Sequence, residues 1–217
     1  MNYFISDLHI GHENVLYFDN RPFSTIEEHN NTILENWNNV VGPDDDVYIL
    51  GDVSFYNVTG TINFYSQLNG RLHLIIGNHD KSFLKNQVFR NLFVEICDYK
   101  ELYIGNDRCQ LVLSHYPILA YKNLYRGWIH LYGHVHNSFE WGIMEHHKRM
   151  MKELYSKKDG KLESDVFNAY NVGCMLPYMN YTPKTLEEII AGYEVCDCNK
   201  FTNPIIKHSS GNISSND

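Results

Sequence analysis

The chain has 217 residues, a net charge of −8 and 43 % hydrophobic residues, which suffices for one domain with a full core. The negative charge disfavours a broad basic surface for nucleic acid, and five cysteines favour a reduced protein over a disulfide framework. The sequence shows neither an export signal nor an apolar run as long as a membrane span. We therefore expect a cytoplasmic protein that does not bind membranes.

Strands and helices alternate along most of the predicted chain. In the first half of the chain, the pattern predicts a strand at 3–6, a helix at 23–41 that Gly42-Pro43 ends, a strand at 47–50, a helix at 59–68, a strand at 71–76 and a helix at 81–93. A hairpin at 94–113, a strand at 127–132, a helix at 140–157, a strand at 165–174 and a helix at 185–192 follow. Ser24 and Glu27 have capping-box spacing at the start of the first helix. The hairpin, which turns at Gly105-Asn106-Asp107, breaks the alternation. The order of elements alone therefore predicts an α/β (α+β-like) fold with a mixed sheet.

Two segments differ in character from the rest of the single domain, which we place at residues 1–199. Residues 137–167 form an unusually long connection and predict an inserted helical segment. This segment either packs its apolar stripe on the domain or covers the functional site as a lid. The Ser- and Asn-rich composition of residues 200–217 is typical of a mobile tail.

Polar residues follow five of the predicted strands. These strand ends have the sequences SDLH (6–9), GDV (51–53), GNHD (77–80), SHYP (114–117) and GHVH (133–136). Polar residues are common at strand ends, where the chain meets water, but chance rarely repeats Asp, Asn or His five times. Ligand sites form where the carboxyl ends of strands meet the following loops, so we expect the five ends to converge. The glycines that precede three of the motifs would let the backbone turn sharply there.

The collected side chains, two Asp, one Asn and several His, indicate a metal site. Oxygen ligands combined with imidazoles suit Mn²⁺, Fe²⁺ or Fe³⁺, and Zn²⁺. Seven such groups exceed the needs of one ion and predict two divalent ions that share a ligand. Only a carboxylate offers two anionic oxygens for sharing, and Asp52, alone on its loop, is the natural bridge.

Together, the strand-end motifs resemble those of the calcineurin-like metallophosphoesterases, whose order is D-x-H, G-D, G-N-H-[DE], a lone His and G-H-x-H. They occur here as Asp7-Leu8-His9, Gly51-Asp52, Gly77-Asn78-His79-Asp80, His115 and Gly133-His134-Val135-His136. The runs DLHIGHENV and NRPF near the start, and NVG followed by TPKTLEEI near the end, are similar to a small prokaryotic and phage branch of that family.

The resemblance implies a fold and a set of metal ligands. The fold is a β-sandwich of two mixed sheets flanked by helices. The implied ligands are Asp7, His9 and His136 for one ion, Asn78, His115 and His134 for the second, and Asp52 as the bridge. The amide oxygen of Asn78 can serve because it is a hydrogen-bond acceptor.

Charge explains what two metals would do for a phosphoester, whose anionic oxygens repel a nucleophile. Two dications about 3.5–4 Å apart neutralise that charge and lower the pKa of a bridging water, which supplies hydroxide near neutral pH. His79 lies next to a ligand without being needed as one, so it fits a general acid that protonates the leaving oxygen. The alternative is a histidine that only supports the ligands. Asp80 is a candidate for orienting His79.

Weaker candidates for substrate binding lie outside the strand-end motifs. His12 either touches the phosphate or caps the following segment. Arg21 either clamps a phosphate oxygen or packs on the surface near Phe23. A basic cluster on the helix at 140–157 either attracts an anionic substrate or forms a solvated face; it comprises Lys148, Arg149, Lys152, Lys157 and Lys158.

The sequence thus predicts a dinuclear metal-dependent hydrolase of a small phosphoester, with phosphodiesters or nucleotides favoured. A phosphomonoesterase is one alternative, and a nuclease for short oligonucleotides is another, although the acidic composition disfavours duplex nucleic acid as a partner. A binding module that has lost catalysis is least favoured, because every ligand and His79 are present. The sequence leaves the oligomeric state open.

Overall fold

The computed structural model describes residues 1–105, 109–159 and 166–195, and within them the strands form two four-stranded sheets. The first sheet contains, in spatial order, β1 (Asn2–Ile5), β2 (Asp46–Ile49), β3 (Arg71–Ile75) and β4 (Phe93–Cys97), all paired in parallel. The second contains β5 (Tyr99–Ile104), β6 (Cys109–Ser114), β7 (Ile129–Tyr132) and β8 (Asn168–Asn171). Here β5 and β6 are antiparallel and the other pairs are parallel, so this sheet is mixed.

Helices connect and flank the sheets. They are α1 (Val15–Phe18), α2 (Ile26–Val40), α3 (Val58–Tyr65), α4 (Gln87–Arg90), α5 (Phe139–Asp159) and α6 (Leu186–Val195). In α2 the capping residue is Thr25, one position later than expected, and its hydroxyl accepts a hydrogen bond from the amide of Glu28 at 3.1 Å. None of the helices in the described ranges is both long and apolar enough to cross a bilayer.

One apolar core lies between the sheets and their helices. Ile5 and Leu74 of the first sheet and Leu113 and Leu131 of the second are fully buried in it. The two sheets meet at Ser6, whose amide donates to the carbonyl of Val172 at 2.9 Å. The predicted architecture, two sheets flanked by helices, is confirmed, but the four described strands of the first sheet are all parallel, so that only the second sheet is mixed.

The region from residue 81 to residue 104 differs from the prediction. It contains a short 3₁₀ turn at Phe83–Lys85 and the one-turn helix α4 instead of one helix, because the Asn86 side chain accepts hydrogen bonds from two amides and begins α4 anew. The expected first arm of the hairpin is split at Asp98, so that β4 belongs to one sheet and β5 to the other. The turn residues Asn106 and Asp107 and the predicted tail lie outside the described residues.

The loops after β2 and β3 cross closely at two glycines, and a Cβ on Gly51 would lie 2.6 Å from Cα of Gly77. Gly51 has a φ of +87°, the left-handed turn that was expected of the glycines. Gly77 has an ordinary φ and is needed for a different reason, its lack of a Cβ. A Cβ on Gly77 would lie 2.3 Å from Oδ1 of Asp52 and 2.4 Å from its backbone nitrogen. The crossing therefore fixes where the Asp52 carboxylate lies.

A methyl group at this crossing should destabilise the fold. We expect Gly77→Ala to lower the free energy of unfolding by about 1–3 kcal/mol, the usual effect of overpacking a tight interior, in urea denaturation. Gly42→Ala is the matched control, because the nearest atom to its Cβ would be the Asp45 carboxylate Oδ2 at 3.2 Å, the end of a flexible side chain. Equal losses for both variants would contradict the steric argument.

Candidate metal centre

The seven predicted ligands come together at the carboxyl ends of strands from both sheets. Two groups offer donor atoms that all lie within 4.8 Å of one another: Asp7, His9, Asp52 and His136, and Asp52, His115 and His134. Asp52 belongs to both groups. Asn78 lies beside the second, with its Oδ1 2.9 Å from Nε2 of His115. The structure thus gathers these residues into one cluster, and their binding to metal remains a prediction.

Most of these side chains enter the cluster from strained backbone. Five candidate ligands have a positive φ, between 46° and 69°: Asp7, His9, Asp52, His134 and His136. For residues other than glycine this region is sparsely populated, and such conformations concentrate at functional sites. The ligands, rather than the preceding glycines at 77 and 133, therefore make most of the turns that aim the side chains inward.

Hydrogen bonds fix which nitrogen of His115 is available. Its Nδ1–H donates to the carbonyl of Leu50 at 2.7 Å. In the tautomer that could bind a metal, Nε2 is an acceptor, and it faces Oδ1 of Asn78 at 2.9 Å and Oδ1 of Asp52 at 3.6 Å. Three acceptor atoms that face one another repel unless a cation lies between them. This arrangement fits a metal ion.

The other half of the cluster repeats the pattern. Nδ1–H of His136 donates to Oδ1 of Asp19 at 2.8 Å, and its Nε2 lies 3.1 Å from Nε2 of His9 and 3.5 Å from Oδ1 of Asp7. Asp7 also accepts from the Ser6 hydroxyl at 2.6 Å, which fixes its carboxylate. Carboxylate oxygens and imidazole nitrogens are the donor set that Mn²⁺, Fe²⁺ and Zn²⁺ accept.

The protonation equilibria of the cluster favour positive charge among its carboxylates. Burial alone would lower the pKa of His136, but its contacts with Asp19 and Asp7 outweigh burial and raise that pKa to about 10. The positive charge of His136 in turn holds the pKa of Asp7 below its usual range, although burial opposes this. Burial lowers the pKa of His9 and of His134, which favours the neutral imidazole that binds metals. Carboxylates that favour a proton on His136 would also favour a metal cation at its Nε2.

His79 and His12 line the mouth of the cluster. The His79 side chain is 45 % exposed, and its Nε2 lies 4.0 Å from Oδ2 of Asp52. The ring of His12 stacks on that of Phe55 with 3.9 Å between their centroids, and Phe55 also contacts His79 at 4.7 Å. The three rings line one pocket together with five of the seven predicted ligands, namely His9, Asp52, Asn78, His134 and His136. A substrate in this pocket would therefore meet both histidines.

The Asp80 carboxylate lies behind the metal-site loops. It is fully buried and accepts hydrogen bonds from the backbone amides of Asp52, Val53 and Gly77 at 3.0, 2.9 and 2.8 Å. These contacts tie the loop after β2 to the loop after β3. The prediction that Asp80 orients the ring of His79 does not match them, because both carboxylate oxygens are occupied by backbone donors.

Arg21 is buried, with a fully covered side chain in an ion pair with Asp19 at 2.8 Å. The predicted clamp on a phosphate oxygen does not fit this position, and neither does packing on the surface. Sequence reasoning missed Asp19, which accepts from His136, and Phe55, which covers His12. Neither residue lies in a strand-end motif, and the only signal for Asp19 is its position two residues before Arg21.

Two grooves flank the cluster. The larger one, of about 940 Å³, runs from His134 and His136 along the first turn of α5, where Glu140 and Trp141 line it. A smaller groove of about 290 Å³ lies on the side of Asn78 and His115 and includes Lys81. The start of the inserted segment thus borders the candidate site.

Lys148, from the basic cluster on α5, does not face these grooves. It is buried, donates to the carbonyl of Ala169 at 3.0 Å and lies over the rings of Tyr170 and Tyr193 at 4.0 and 3.9 Å. This cation therefore fastens the helix to the domain, and the expectation that it attracts substrate does not match its contacts.

Comparison with known proteins decides the family. The family model described as calcineurin-like phosphoesterase matches residues 3–179. The chain belongs to the calcineurin-like phosphoesterase family. The resemblance inferred from the motifs is confirmed, and this family implies divalent metal ions at the cluster described above.

The relatives of this chain carry little functional information in their names. An uncharacterized protein from Methanocaldococcus jannaschii is 39 % identical over 136 residues, which cover 62 % of this chain and 68 % of that protein. The Gene 66 protein of Mycobacterium phage L5 is 44 % identical over 81 residues, 36 % of this chain and 39 % of that protein. A crystal structure of a protein of unknown function from Aquifex aeolicus is similar with a TM-score of 0.58 and 25 % identity, over 88 % of this chain and 98 % of that one.

The contacts of Asp80 predict a structural effect for Asp80→Asn. The new amide group would face at least one buried N–H donor, and each unsatisfied buried amide costs about 1–3 kcal/mol in the free energy of unfolding. We expect a loss of that size in urea denaturation, whereas Asp98→Asn, the same change at an exposed position, should have little effect. Unchanged stability of Asp80→Asn together with a loss of activity like that of a His79 variant would instead support orientation of His79.

Proposed function

We propose that this protein is a metal-dependent hydrolase of phosphoesters that uses two divalent ions, and that it acts on phosphodiesters or nucleotides. The observation that carries the proposal is the pair of ligand groups that share the Asp52 carboxylate. Two adjacent donor sets with one common carboxylate suit two ions better than one. Membership of the phosphoesterase family supports the reaction class.

The ions would be held by the carboxylates, imidazoles and amide oxygen of the two groups. Divalent ions in such sites neutralise the charge on the phosphoryl oxygens and lower the pKa of a water molecule. His79, half-exposed at the mouth, would donate a proton to the leaving oxygen. Its backbone amide donates a hydrogen bond to Oδ1 of Asp52 at 3.0 Å, which holds its loop against the predicted ligands. His12 and Phe55 would form the wall on which the substrate rests.

The charge of the larger groove favours substrates with an organic group on the phosphorus over substrates with several phosphates. The larger groove is lined by Glu140, by asparagine amides and by apolar side chains, and its described lining includes no lysine or arginine. An additional phosphate there would meet a carboxylate instead of a cation. A groove on each side of the cluster leaves room for both arms of a diester.

Two alternative functions make different demands on the site. A phosphomonoester carries a second negative charge, for which the described pocket around His9 and His79 offers no lysine or arginine. A nuclease for long nucleic acid needs a basic track, which a net charge of −8 disfavours, whereas a short oligonucleotide remains compatible with the grooves. We therefore place the diester or nucleotide ahead of both.

A substrate panel tests the proposal. Protein purified without chelator is loaded with Mn²⁺, Zn²⁺ or Fe²⁺ and assayed with chromogenic monoesters and diesters, nucleotides, cyclic nucleotides and short oligonucleotides. Turnover of diesters or nucleotides above monoesters is expected. Higher turnover of monoesters would favour the phosphatase, and metal binding without turnover of any substrate would favour a binding module.

Removal of the shared carboxylate should affect both ions. We expect Asp52→Asn to lose both ions together, because one neutral amide cannot replace an anionic bridge. Metal content after dialysis measures this. Asp44→Asn, which removes the same charge from an exposed loop, is the control and should keep both ions. Loss of a single ion from Asp52→Asn would disprove the shared role.

The effect on kcat of removing the proposed general acid, His79, should depend on the leaving group. We expect His79→Ala to keep both metals and to lower kcat about 10²–10⁴-fold on esters with poor leaving groups, the usual contribution of a general acid. The loss should be much smaller on p-nitrophenyl esters, whose leaving group departs without a proton. His146→Ala, on the exposed face of α5, is the control. An equal loss on both kinds of ester would rule out proton donation by His79.

A further inference from the structure

The buried Arg21 guanidinium has a hydrogen-bond acceptor for each of its N–H groups. Its Nε and Nη2 both contact Oδ2 of Asp19, at 2.9 and 2.8 Å. Nη2 also donates to the carbonyl of Asp7 at 2.9 Å, and Nη1 donates to the carbonyl of Leu8 at 3.2 Å. Nη1 further contacts Nε2 of His29 at 2.8 Å. A cation without solvent contact is costly unless it is fully hydrogen-bonded, and this one is.

The Nη1 group of Arg21 contacts a neutral histidine, His29. Burial lowers the pKa of His29 to about 4, with the charge of Arg21 acting in the same direction. Nδ1–H of His29 donates to Oδ1 of Asn30 at 3.0 Å, so its Nε2 accepts from Arg21. The orientation of the guanidinium is therefore fixed from both sides.

Arg21 thereby connects the loop after β1 with Asp19 and, through Asp19, with His136. It holds the backbone of Asp7 and Leu8 in the loop that follows β1, and it holds the Asp19 carboxylate in place. The second oxygen of Asp19 accepts from Nδ1–H of His136. This bond leaves Nε2 of His136 unprotonated in the neutral ring, and that nitrogen faces His9 and Asp7.

We propose that Asp19 and Arg21 are positioning residues for the ion at Asp7, His9 and His136. Asp19 selects the tautomer of His136 that leaves Nε2 free for a divalent cation, and Arg21 fixes both Asp19 and the backbone of Asp7. Partners behind a metal-binding histidine typically change metal affinity about 10–100-fold when they are removed. This inference rests on the metal binding of the proposed function and adds two residues that act on the metal through His136 and the backbone of Asp7.

The decisive variant is Asp19→Asn. Arg21 has only donors, so it would take the amide oxygen of the new side chain and leave the NH₂ group facing His136. A donor at that position forces the proton of His136 onto Nε2, the nitrogen that must be free. The second ligand group, on the side of His115 and Asn78, should be much less affected, which separates this effect from a general loss of structure.

The measurement is a calorimetric titration of metal-depleted protein with Zn²⁺, combined with NMR of the imidazole nitrogens. We expect Asp19→Asn to bind one ion about 10–100-fold more weakly and the other with nearly wild-type affinity. In the zinc-loaded wild type, Nδ1 of His136 should carry the proton and Nε2 should bind the metal. Arg21→Lys keeps the charge but loses contacts to Asp7 and Leu8, so it should weaken the same ion while leaving the proton of His136 on Nδ1.

The chain offers a matched control in a second carboxylate with the same two kinds of partner. At the amino end of β2, Asp46 contacts Arg71 at 2.6 Å and His73 at 2.8 Å, at the opposite end of the sheet from the metal cluster. Asp46→Asn removes an equivalent arrangement and should leave both zinc affinities unchanged. A fall in affinity equal to that of Asp19→Asn would mean that loss of any such arrangement is sufficient, and would overturn the proposal.

The remaining outcomes separate this proposal from the proposed function. Unchanged affinity for both ions in Asp19→Asn overturns the positioning role and leaves the proposed function intact. A wild-type protein that binds no divalent ion overturns the proposed function and this inference with it. Should Asp19→Asn fail to fold, the zinc-loaded wild type decides, because a proton on Nε2 of His136 instead of Nδ1 overturns the proposal.

Discussion

The candidate site depends on a backbone constraint: strands must end so that successive loops turn their side chains inward at one place. The positive φ values of Asp7, His9, Asp52, His134 and His136 show how the chain achieves this, at a cost of about 1–2 kcal/mol for each non-glycine residue. Hydrogen bonds between the loops offset part of that cost. Asp7 donates its amide to the carbonyl of Gly51 at 3.1 Å, and His9 donates to that of Asp52 at 3.0 Å. The strained residues are thus held by one another.

This arrangement leaves an electrostatic problem at the centre. Carboxylates and imidazole rings converge there, and the described lining of the pocket around them includes no lysine or arginine. The buried cation of the region, Arg21, lies behind the ligands and is neutralised by Asp19. A divalent ion is the group whose charge and coordination would balance the cluster. The arrangement of these side chains would therefore favour metal binding before any substrate is present.

The sequence predicted which side chains converge, because their chemistry and their position in the chain agree. Asp, Asn and His recur after predicted strands, and parallel strands bring their carboxyl ends together. The contacts of Arg21 and Asp80 differ from the expected ones for the opposite reason. Their side-chain chemistry suggested substrate or proton-transfer roles, but burial decides their partners, and burial depends on contacts between distant segments. Asp19 was missed because its importance comes from His136, more than a hundred residues away.

Each of the two ligand groups takes members from both halves of the sandwich. Asp7, His9 and Asp52 follow strands of the first sheet, whereas His115, His134 and His136 follow strands of the second. A bound ion would therefore join the sheets at the edge where Ser6 already meets Val172. The ions would then act as a disulfide does in a small secreted domain. The free energy of metal binding would add to the free energy of folding. Removal of the ions would thus lower the stability of this protein as well as the proposed activity.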